Sequence, residues 1–237
     1  FLKGVESKQN EIVSEACEKA KRYLPESAEI EADIYLVIGG DDAYGANLID
    51  TRAIVMNVGL FASKLQEMIA ILAHELHHKV DNRSLEVYWR FQRKGPKDLA
   101  RLYSIVSELI GEGVATLVTF PLGLASKYFA TKENIDREYN KVESGIQQMS
   151  LDITDERANE IFENLYANAG PLYMVGCDMA KKIEEILGRD TLVAAIQEPL
   201  QFFQAYNESV IKSGEGYGFS VHTTRLIQRL QDEINRM

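Results

Sequence analysis

Three of the four histidines in this 237-residue chain fall within five consecutive positions, 74 to 78, which read His-Glu-Leu-His-His. From Ala62 to Val80 the apolar residues Leu65, Met68, Ile69, Leu72 and Leu76 recur at helical spacing, and no Gly or Pro interrupts them. The spacing therefore predicts a helix over 62–80. Positions i and i+4 of a helix lie on one face, about 6 Å apart along the axis, so His74 and His78 point the same way. Helical phase turns His77 away from that face, toward solvent or a supporting position behind it.

His74, Glu75 and His78 satisfy the pattern HExxH, in which two imidazoles reach one metal ion while the Glu faces its open side. Such a set fits zinc. The metal would bring the pKa of a water to about 7 and polarise a carbonyl, with Glu75 taking the proton as general base. A catalytic zinc usually has three protein ligands, so a third is expected elsewhere. The chain has only Cys17 and Cys177, with no Cys-x-x-Cys pair, and His222 lies far along the sequence, so a carboxylate is favoured. Glu112 is the candidate, within Glu108 to Thr116, Glu-Leu-Ile-Gly-Glu-Gly-Val-Ala-Thr. Gly111 and Gly113 beside it would remove bulk where this segment approaches the motif helix. Glu108, one helical turn earlier, is the competing choice.

His-Glu-x-x-His followed by Glu-Gly-x-Ala resembles the gluzincin branch of the zincin metallopeptidases, in particular the peptidase-MA-like families of zinc proteases. The resemblance covers about residues 30 to 190. It implies that Glu112 is the third ligand, that Ala53 to Val58 is an edge strand above the cleft, and that Gly170 to Gly188 matches a segment with a Tyr followed three residues later by a Gly. Where such proteins often carry an acidic residue four positions after the ligand Glu, this chain has Thr116. Glu108 or Asp81 would then have to orient a ligating histidine from behind.

A hydrolase of this kind also needs a donor for the oxyanion of its tetrahedral intermediate. Tyr173, after the Gly170-Pro171 turn, and His222, just before the last helix, are the two candidates. Tyr217, in the Gly-rich stretch from Gly214 to Gly218, is expected on a mobile rim.

The remaining chain frames these motifs as one zincin-like α+β domain over 1–237, with sublobes of about 1–80 (α/β) and 81–237 (helical). Leu2 to Tyr23 reads as an amphipathic surface helix, and Ile34 to Ile38 and Ala53 to Val58 read as strands. Between them Gly39 to Gly45 reads as a loop, and after the Asp81-Asn82 breaker everything reads as helix and loop. Strong helical periods run from Leu99 to Val118, Val175 to Leu187 and Thr223 to Ile234.

With a net charge of −10 and no basic run, neither nucleic acid nor an anionic membrane is an expected partner. The longest uncharged stretch, Gly113 to Ser126, is broken by Pro121 and Gly123 and falls short of the roughly 20 apolar residues that span a bilayer, so no transmembrane helix is expected. Two cysteines could make one optional bridge and no disulfide scaffold. The chain opens on Phe1, which points to removal of an upstream segment and favours an exported or cell-envelope protein over a cytoplasmic one. The expected function is a zinc-dependent hydrolase acting on peptide bonds. The alternative is a non-catalytic zinc-binding scaffold, which would close its fourth metal position with a protein ligand, and the sequence offers no obvious one.

Overall fold

A computed structural model describes residues 2–39, 43–45, 53–61, 64–80, 82–119 and 132–237. Mostly helical with one small sheet, the chain has an α+β composition. Its contacts divide it into two compact units, Phe1–Asn82 with Ala115–Lys127, and Arg83–Val114 with Tyr128–Met237.

In the first unit the expected N-terminal helix is two, α1 (Leu2–Ser7) and α2 (Gln9–Lys21), separated by a turn at Lys8. Ile12, Ala16 and Ala20 repeat every four residues and form the buried stripe of α2, which packs on α3 (Leu65–His78). Three strands follow α2: β1 (Asp33–Val37), β2 (Ala43–Gly45) and β3 (Ala53–Asn57), in the order β1-β3-β2. β1 runs parallel to β3, with Ile34 opposite Ile54, and β2 runs antiparallel to it, with Tyr44 opposite Val55. Two expectations change here. The Gly39 to Gly45 stretch contains a strand, β2, and β3 is the central strand of the sheet rather than an edge. A central position suits the sequence of β3, Ala-Ile-Val-Met-Asn, whose residues are buried or half-buried on both faces. Asn57 closes this end of the sheet, its Oδ1 accepting from the backbone N–H of Gly39 at 3.2 Å and of Gly59 at 3.0 Å.

The second unit is helical. It contains α4 (Asn82–Lys94) from Arg83 onward and α5 (Lys97–Thr119) as far as Val114. Its other helices are α6 (Lys132–Met149), α7 (Asp155–Tyr166), α8 (Pro171–Leu187), α9 (Arg189–Ala195), α10 (Pro199–Ser213) and α11 (Val221–Arg236). At its centre is α8, which packs on α6, α7, α9 and α10 and buries Leu172, Val175, Met179, Ala180 and Ile183. Its boundaries follow from local chemistry. Thr154 caps α7 and Ser220 caps α11 through their side-chain oxygens, Pro171 and Pro199 occupy first-turn positions, and Gly214 ends α10 at φ +70°.

Tyr217 is not on a loose rim. Its ring stacks on Tyr139 at 4.8 Å, and its hydroxyl donates to the Glu143 carboxylate at 2.5 Å. The same carboxylate accepts from the Ser220 N–H and the Thr223 hydroxyl, which ties the stretch before α11 to α6.

Among the described residues α5 is long and apolar enough to cross a membrane, although the uncharged stretch 113–126 fell short of that test. Most of it is buried inside the protein, as expected of a core helix. Cys17 and Cys177 are both free thiols.

Candidate metal centre

The histidines lie in the last turns of α3, a helix without Gly or Pro whose apolar positions Met68, Ile69, Leu72 and Leu76 are buried. That end of a helix carries partial negative charge and favours a cation. The side chains of His74 and His78 converge as the i, i+4 spacing requires, with their Nε2 atoms 3.1 Å apart and their rings edge to face at 4.8 Å. Two nitrogens each about 2.0–2.1 Å from one tetrahedral zinc ion would lie about 3.3 Å apart, so this separation suits a shared metal. His77 points elsewhere, as its phase requires, but it is buried at 7% exposure rather than facing solvent.

Glu112 lies on α5. Ligand atoms of His74, His78 and Glu112 all lie within 4.8 Å of one another, with His74 and Glu112 buried and His78 half-buried. This group of two imidazoles and one carboxylate could hold a metal ion, and no fourth His, Cys, Asp or Glu joins it among the described residues. Glu108 is half-buried one turn before Glu112 and outside the group. Asp81 lies outside the described residues.

The two glycines beside Glu112 differ from each other. A Cβ on Gly111 would meet nothing within 4 Å, whereas a Cβ on Gly113 would lie 2.3 Å from the backbone of Gly176 on α8. A Cβ on Gly176 would in turn lie 1.9 Å from the carbonyl oxygen of Leu109. Gly113 thus serves the backbone-to-backbone crossing of α5 and α8. Because Tyr173 stands one turn before Gly176, this crossing brings Tyr173 to Glu112.

A second tyrosine, which sequence reasoning missed, completes this side. Tyr166 is the last residue of α7, and its hydroxyl donates to Glu112 Oε1 at 3.2 Å. Its ring stacks on Phe162 at 5.3 Å and lies 5.5 Å from that of Tyr173. Burial first, and then the charge of Glu112, push both phenols well above the ordinary tyrosine value. Both hydroxyls therefore stay protonated at neutral pH and act as donors. The available signal was the turn Ala-Asn-Ala-Gly-Pro that separates the two tyrosines and folds α7 back onto α8. Asn168 and Ala169 take left-handed conformations in it, at φ 58° and 51°. His222 is not part of this cluster and stands exposed on the first turn of α11. Thr116, one turn beyond Glu112, is 3% exposed, and its hydroxyl has no hydrogen-bond partner among the described residues.

A family model described as "Putative zinc dependent peptidase (DUF5700)" matches residues 1–215. No curated protein and no solved structure gives a match. The family is described as zinc dependent and the largely buried His-His-Glu group suits that metal, so the cofactor is zinc.

Proposed function

Because the chain belongs to this family, we propose that it is a gluzincin-type metallopeptidase in which His74, His78 and Glu112 hold the metal and Glu75 is the general base. The observation that carries the reading is the convergence of those three donors within 4.8 Å, with no fourth protein donor in the group among the described residues. A purely structural zinc site would be closed by a fourth protein ligand, so the three-donor set favours the enzyme over a scaffold.

The chemistry that zinc supplies when bound is Lewis acidity toward a water molecule and a substrate carbonyl. Glu75 then accepts a proton from the attacking water as its oxygen bonds to the carbonyl carbon. The same carboxyl delivers that proton to the amine nitrogen as the C–N bond breaks. Of the two donors considered for the oxyanion, Tyr173 carries the role: it lies beside Glu112 with its proton retained, whereas His222 is exposed outside the cluster.

The third ligand is tested by zinc affinity, measured in competition with a chromophoric chelator. Glu112→Gln is expected to lose more than the roughly 10 to 100-fold that follows removal of a group supporting a ligand, and Glu108→Gln to stay within that range. The opposite ranking would transfer the ligand role to Glu108.

A further inference from the structure

Resting on the reading of Glu112 as a metal ligand, we infer that Tyr166 is a positioning residue that sets the Glu112 carboxylate for the metal. A glutamate has three side-chain torsions, and a carboxylate that must present one oxygen to a metal gains affinity when a fixed donor holds the other part of the group. The Tyr166 hydroxyl is such a donor, at 3.2 Å from Oε1. It is fixed from three directions. Phe162, one turn earlier on α7, stacks on one side of its ring with the planes 18° apart, and Tyr173 packs against it at 51°. Behind it the chain leaves α7 through the left-handed pair Asn168 and Ala169, where the Gly170 N–H donates to the Tyr166 carbonyl at 3.3 Å.

A left-handed Ala is strained, and such strain persists only where the surrounding structure holds it. The turn it belongs to is the one that sets Tyr166 at the end of α7 and Tyr173 in the first turn of α8, both against the same carboxylate. Tyr166 acts through Glu112 on metal affinity.

The test uses zinc alone as probe, in competition with a chromophoric chelator, with the thermal midpoint of the metal-free protein as the control for folding. Tyr166→Phe keeps the ring between Phe162 and Tyr173 and removes only the donor, so the metal-free midpoint should hold while zinc affinity falls about 10 to 100-fold. In a Glu112→Gln background Tyr166→Phe should cost no further affinity, because the group it positions is gone. Zinc affinity unchanged in Tyr166→Phe, or an equal loss in both backgrounds, would overturn the inference. If Glu112→Gln itself binds zinc as wild type does, the ligand reading fails and the inference with it. A strong loss in Glu112→Gln with none in Tyr166→Phe overturns the inference alone.

Discussion

Glu75→Gln is expected to retain one zinc per chain and the wild-type fold while losing hydrolysis by roughly 10² to 10⁴-fold, the share that general-base catalysis supplies. Glu75 follows His74 directly on α3, so its side chain is rotated about 100° from that of His74, and under the proposed mechanism it takes the proton of the attacking water without being a ligand. Gln keeps the size and much of the hydrogen bonding but cannot take a proton at neutral pH. The measurement pairs metal analysis with cleavage of a peptide library, with a chelator as control. Equal cleavage by zinc-loaded Glu75→Gln and wild type would rule out the assigned base.

The second large effect concerns the metal itself. His74→Ala or His78→Ala should each abolish stoichiometric zinc binding, because both imidazoles come preorganised from one helix, with their Nε2 atoms already 3.1 Å apart. His77→Ala is the internal comparison, one residue from His78 but outside the ligand group, and its zinc content should stay near one per chain. Its buried ring makes a loss of stability expected there without a loss of stoichiometry. Zinc retained in full by both single variants at 74 and 78 would sink the ligand assignment.

Features that rest on local periodicity could be read from the sequence. The motif helix follows from five apolar positions at helical spacing, and the expected span 62–80 contains the observed Leu65–His78. The pairing of Glu112 with His74 and His78 came from donor chemistry and a family likeness, both of which are local patterns. What escaped were features decided by packing across the chain. Apart from its last residue, Asn57, the β3 sequence is an apolar run, the signature of a strand buried on both faces, a pattern at odds with the expected edge position. Gly113 was rightly singled out as a close approach, but a glycine does not say which helix approaches it, and here it is α8 through Gly176. β2 is three residues long, too short to show any alternation. Tyr166 ends an amphipathic helix, where an aromatic residue reads as ordinary packing. Only the fold back through the turn at Asn168 and Ala169 reveals that its hydroxyl meets Glu112.

The central claim, that one zinc held by this His-His-Glu group cleaves peptide bonds, is tested most directly by titrating zinc into the metal-free protein while following hydrolysis of a peptide library. Activity should rise in proportion to zinc, level off at one ion per chain, and disappear again with a chelator. Cleavage that persists without metal, or one tightly held zinc per chain with no peptide in the library cleaved, would contradict it.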